Sequence, residues 1–172
     1  MNVFTEEIIT PLFLILESTK GIKGHEIYHP EEDVFNHSLQ SLYRAFRESN
    51  DVDLILAAML HDVGKAENKL GHDKIGADLI KPYVSAKTHF LVEQHMRIWS
   101  LLQGEMKRFK KVQYLITHPW LPELIHLARI DKMSRVANKQ MLYDREKITE
   151  RLNSLVMLHF QPKEIENDIT ES

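Results

Sequence analysis

Apolar residues recur at intervals of three and four along almost the whole chain, the period of a helix with one buried face. Nowhere do they alternate over the length of a strand. The spacing predicts helices over 5–18, 33–48, 51–63, 73–83, 86–103, 105–117, 120–136 and 143–159. The six glycines and six prolines fall mostly between these segments. "KGIKGHEIYHPEE" (20–32) and "GKAENKLG" (64–71) read as loops, and the acidic, polar "QPKEIENDITES" (161–172) as a flexible tail. No internal repeat, low-complexity tract or linker divides the chain. The expectation is a single all-α domain over 1–172, a bundle of about seven or eight helices.

Four of the predicted helices carry a polar residue on the face that points inward. Leu54, Ala57, Ala58 and His61 share one stripe; Leu124, Leu127, Ala128 and Asp131 share another. Leu91, Val92, His95 and Trp99 form a third. His37 follows Val34 and lies with Ser38, Ser41 and Ala45, small residues that let a neighbouring helix come close. A single buried histidine is most often a hydrogen-bonded core residue. Asp131 changes that balance, because an unpaired carboxylate among leucines costs several kcal/mol to bury. The inward polar groups available to it are imidazoles and a second carboxylate, Asp62. Histidines and aspartates gathered from separate helices form a ligand set for a divalent metal of borderline hardness. His61 and Asp62 are adjacent and diverge by about 100° around a helix. They reach a common ion only beside the helix end, where the chain unwinds into Gly64.

Composition narrows the possibilities. The chain has 172 residues, 43% hydrophobic and 27% charged, which suits an ordinary globular domain. A net charge of -3 gives no broad grip on nucleic-acid backbone. "MKRFKK" (106–111) is a local basic stretch that reads first as the solvated face of a helix. The absence of cysteine removes disulfides, a thiolate nucleophile and any Cys-ligated metal. "PLFLIL" (11–16) is too short to span a membrane and follows Glu6 and Glu7 rather than basic residues, so a cytoplasmic location with no membrane partner is expected. No serine sits in a strained G-x-S-x-G turn.

The order His37, His61–Asp62, Asp131 on an all-α scaffold resembles the HD-domain superfamily of metal-dependent phosphohydrolases. "DVFNHSLQ", "LAAMLHDVGK", "GHDKIGA", "LVEQHMR" and "LIHLARIDKMSR" together look like the HD domain of bacterial tRNA nucleotidyltransferases (CCA-adding enzymes). They cover about 30–136, with a C-terminal helix at 143–159 beyond. Ahead of residue 30 there is no Gly-rich strand or pair of metal-binding carboxylates of the nucleotidyltransferase kind. Nucleotidyl transfer is therefore not expected.

The resemblance implies a first metal held by His37, His61, Asp62 and Asp131. It implies a second held with the help of His72 and His95, with Asp62 bridging. The cofactor is then one or two divalent ions among Mn, Mg, Fe, Ni, Co or Zn. Asp62, Lys65 and Arg97 are the candidate catalytic residues, the two cations as clamps on a phosphate oxygen. Lys65 reads equally well as a lysine complementing a helix C-terminus, and Arg97 as an exposed helix arginine. His118 and His126 read as structural and surface residues, while the loop carrying His25 and His29 could close over the site. The expected activity is hydrolysis of a phosphoester in a phosphorylated small molecule, above all a nucleotide or cyclic nucleotide, or in an RNA end, through a metal-activated water. The alternatives are a deoxynucleotide triphosphohydrolase and a non-catalytic HD-fold module that binds nucleotide or RNA.

Overall fold

The computed structural model describes residues 3–24 and 33–158. His25, His29, most of the 20–32 loop and the 161–172 tail lie outside the described residues. Within them the chain is all helical: α1 (Glu6–Glu17), α2 (Val34–Glu48), α3 (Val52–Leu60), α4 (His72–Ile80), α5 (Ala86–Gln94), α6 (Arg97–Leu102), α7 (Phe109–Ile116), α8 (Leu121–Met133) and α9 (Arg145–Leu158). None of these helices is long and apolar enough to cross a membrane.

The starts of α2, α3 and α5 follow from side-chain caps. Asp33 accepts from the Asn36 amide at 2.7 Å, Asp51 from the Asp53 amide at 3.0 Å, and Ser85 from the Thr88 amide at 3.1 Å. α3 is apolar on every side, and Leu54 through Leu60 are all buried. Such a helix belongs at the centre, and α2, α5, α8 and α9 pack around it. Its last turn, Ala57 to Leu60, is wholly buried, and His61 follows directly from it.

The structure departs from the periodicity at three places that matter for the site. α3 ends at Leu60, and 63–66 forms a 3-10 turn where a loop is expected. The segment 86–103 is two helices, broken at His95 and Met96, which accounts for nine helices among the described residues. His95 and Trp99 therefore do not share one continuous stripe. α8 stops at Met133, and the stretch after it is held against α2 by two buried amides. Asn36 accepts from the Met141 amide at 2.9 Å, while Gln40 accepts from the Val136 amide and donates to the Val136 carbonyl, both at 3.0 Å.

Candidate metal centre

Six buried side chains from five places in the chain meet in one cluster. His37 comes from α2, Asp131 from α8, His61 and Asp62 from the end of α3, His72 from the start of α4 and His95 from the end of α5. None is more than 6% exposed, so no bulk water compensates their polarity. Past Leu60 the chain leaves the helix: His61 keeps helical angles, but Asp62 turns to φ -106, ψ 7. That turn cancels the divergence expected of helical neighbours and brings Asp62 Oδ2 to 3.3 Å from His61 Nε2.

Asp62 stands between two groups of imidazoles. Its Oδ2 faces His61 at 3.3 Å and His37 at 3.7 Å. Its Oδ1 faces His72 at 3.1 Å and His95 at 3.4 Å. Asp131 closes the first group, with Oδ1 at 2.9 Å from His37 Nε2 and 3.4 Å from His61 Nε2. His37, His61 and Asp62 are close enough to share one ion, and so are Asp62, His72 and His95.

The histidines are all oriented the same way. His37 Nδ1 lies 2.9 Å from the Ser134 carbonyl, His61 Nδ1 2.8 Å from that of Ala58, His72 Nδ1 2.9 Å from that of Lys69, and His95 Nδ1 2.6 Å from that of Val92. A carbonyl only accepts, so each Nδ1 must carry the proton and donate it. In the neutral ring Nε2 then holds a lone pair, and the four Nε2 atoms converge on Asp62. His37 and His61 present theirs to each other at 3.3 Å, and His72 and His95 at 3.1 Å. Lone pairs so close repel unless a cation or proton sits among them. Ring orientation by a main-chain carbonyl is the usual support of a metal-binding imidazole. The donor set therefore fits divalent metal, of a type that accepts both nitrogen and carboxylate.

Electrostatics agree. Burial alone would raise the Asp62 and Asp131 carboxyls, yet His61 beside both, with Lys65 beside Asp62 and His37 beside Asp131, holds them well below the usual range. Burial opposes charge on His61, but the Asp62 and Asp131 carboxylates outweigh it and push the imidazole up to about 10. His95 is lowered, because burial dominates there.

The two candidate clamps separate. Lys65 belongs to the 3-10 turn, and its ammonium lies 3.0 Å from Asp62 Oδ2 rather than on the carbonyls ending α3. Arg97 begins α6 and donates to Gln94 Oε1 at 3.4 Å. It makes no ion pair among the described residues. His118 stacks on Phe90 with ring centroids 3.8 Å apart, and His126 lies 3.3 Å from Glu48. Arg135, which periodicity does not single out, lies 3.6 Å from Asp131. Its Nε is buried without a hydrogen-bond partner among the described residues. The signal for it was present in "DKMSR", an arginine four residues after the ligand aspartate on a helix end.

Comparison with known proteins places these residues in context. The family model described as HD domain matches residues 34–136, a span that begins at the first residue of α2 and takes in all six cluster residues. The chain is also 36% identical over 55 residues to the Multifunctional CCA protein of Acinetobacter baumannii, in strains AYE and SDF alike. That match covers 32% of this chain and 13% of the relative's length.

Proposed function

The chain belongs to the HD-domain family, and from that premise we propose that it is a metal-dependent phosphohydrolase acting on a nucleotide, a cyclic nucleotide or an RNA end. The observation carrying this reading is the convergence of four similarly oriented Nε2 atoms on Asp62, both of whose oxygens are engaged. In this reading His37, His61, Asp62 and Asp131 hold one divalent ion, and Asp62, His72 and His95 a second. Bound divalent metal lowers the pKa of water toward neutrality and polarises a phosphoryl oxygen.

The protein's own groups do the rest. The main-chain carbonyls of Ser134, Ala58, Lys69 and Val92 fix the rings, so no reorientation is needed when substrate arrives. Lys65 holds its ammonium 3.0 Å from Asp62 Oδ2 on a partly exposed side chain, and in this reading that ammonium passes from Asp62 to a phosphate oxygen of the substrate. Arg135, 3.6 Å from Asp131 Oδ1, places a second cation beside the other ligand carboxylate. Together they supply positive charge where phosphoryl transfer builds negative charge.

A panel of phosphomonoesters, phosphodiesters and nucleoside triphosphates, assayed with added Mn²⁺, tests the reading. Release of phosphate or opening of a cyclic diester supports it. Release of tripolyphosphate would instead identify a triphosphohydrolase. Metal binding with no turnover on any substrate would leave a nucleotide-binding module.

A further inference from the structure

A cavity between α2 and α9 has no part in the proposed hydrolysis. Its volume is about 480 Å³, within the usual range of small-molecule sites. Tyr43 and Phe46, one turn apart on α2, form one wall. Lys147, Ile148 and Arg151, on a single face of α9, form the other, with Asp144 just ahead of that helix. Leu142 and Tyr143 complete the lining. None of these residues belongs to the His/Asp cluster, and Tyr43 stands six residues beyond His37, or about 9 Å along the helix axis.

The polar groups of this lining are unequally engaged. The Tyr43 hydroxyl donates to the Leu142 carbonyl at 2.8 Å, and the Tyr143 hydroxyl donates to Glu17. Asp144 accepts from the Lys147 amide at 3.1 Å, capping α9. Lys147 and Arg151 form no ion pair and no side-chain hydrogen bond among the described residues. Arg151 instead lays its guanidinium over the Phe46 ring, 4.2 Å from the centroid, and so extends the aromatic wall with a flat, charged surface. Leu142, 86% exposed, adds apolar surface beside it. Rings, aliphatic carbon and two uncommitted cations suit a ligand that is itself flat, apolar and negatively charged. A second copy of the chain fits less well, because a twofold contact here would set Lys147 and Arg151 against their own counterparts.

We infer that the cavity between α2 and α9 is a binding site for a small aromatic anion, with the ring among Tyr43, Phe46 and Tyr143 and the charge against Lys147 and Arg151. The inference is independent of the phosphohydrolase reading, and its test needs neither metal nor turnover.

The full chain, carrying isotope-labelled isoleucine and leucine methyl groups, is titrated with naphthalenesulfonate and followed by NMR. Naphthalenemethanol, which has the ring without the charge, and methanesulfonate, which has the charge without the ring, serve as comparisons. The Ile148 and Leu142 methyl signals should shift saturably with naphthalenesulfonate, while that of Ile98, buried on α6, stays in place. The aromatic anion should bind about fivefold or more tightly than the alcohol, the gain expected of two partly solvated charge contacts. Methanesulfonate should not saturate the site. The Lys147→Gln/Arg151→Gln variant, altered at two exposed positions, should bind the anion no better than the alcohol and bind the alcohol as wild type does. Unshifted Ile148 and Leu142 signals, equal binding of anion and alcohol by wild type, or an unaffected double variant would each overturn the inference. Broadening of the same methyl signals that grows with protein concentration and not with ligand would assign the cavity to a second copy of the chain, and overturn it too.

Discussion

The main chain at Gly64 lies directly on the main chain at Gly76. A Cβ at Gly64 would collide with the His72 carbonyl oxygen and stand 2.7 Å from the Gly76 amide nitrogen. A Cβ at Gly76 would meet the Gly64 amide nitrogen at 3.2 Å. This contact seats α4 on the turn that follows Asp62, and so sets His72 over the Asp62 carboxylate. Gly64→Ala is expected to destabilise the protein by about 2 kcal/mol or more, since the obstacle is backbone that cannot rotate away. Gly76→Ala should cost about 1 kcal/mol or less, because its neighbours need shift only slightly. Thermal unfolding of the two variants checks the order; equal melting temperatures would remove the contact from the account.

Four of the six cluster residues, His37, His61, His95 and Asp131, stood out in the chain because an imidazole or carboxylate on an inward helical face is a conflict visible in spacing, and Asp62 stood out as the neighbour of His61. Asp131 among Leu124, Leu127 and Ala128 is the clearest case. His72 had no stripe to betray it; only the resemblance pointed there. What orients the rings was not readable. Every residue owns a carbonyl, so nothing marks those of Ser134 or Lys69 as acceptors in advance. The break at His95 was equally hidden, because a helical period shows which face is buried and not where the backbone hydrogen bonds stop. Asn36 and Gln40 flank His37 as polar residues in a buried helix, a signal that pairs with the chain beyond α8 only once the fold is known.

The two groups of ligands should separate on mutation. His72→Ala and His95→Ala are expected to leave one ion bound by His37, His61, Asp62 and Asp131 while reducing turnover sharply. His95→Ala will also lose about 2 kcal/mol of stability through lost packing beside Leu91. Metal analysis alongside circular dichroism reads both effects. Unchanged metal content and rate in both variants would mean that the two histidines are structural.

Metal affinity should depend on pH well above the ordinary histidine range. Without metal, the His61 proton balances the two carboxylates up to about 10, and an ion must displace it. Affinity is therefore expected to rise by up to about tenfold per pH unit between about 7 and 9. Stability of the metal-free protein runs the other way. His61 is raised from 6.5 when unfolded to about 10 when folded, so its contribution is complete below the unfolded value and is lost as pH climbs through the folded one. Equilibrium dialysis and chelator-treated melting curves measure the two trends; an affinity flat over that range would contradict displacement of the His61 proton.

Lys65→Met removes the ammonium beside Asp62 and keeps the aliphatic stem. If Lys65 neutralises substrate phosphate, kcat/KM should fall about a hundredfold, or about 2.7 kcal/mol, with metal content preserved. Unchanged kinetics in a metal-replete variant would confine Lys65 to its ion pair and leave Arg135 as the cation facing substrate.

The central claim is that one carboxylate, Asp62, is common to both groups of imidazoles. Metal content per chain in wild type and in Asp62→Ala, measured after equilibration with Mn²⁺ and with folding confirmed by circular dichroism, tests it directly. Asp62→Ala is expected to lose metal from both groups at once and to hydrolyse no phosphoester, although all four histidines and Asp131 remain. A folded Asp62→Ala protein that binds as much metal as wild type would contradict the account.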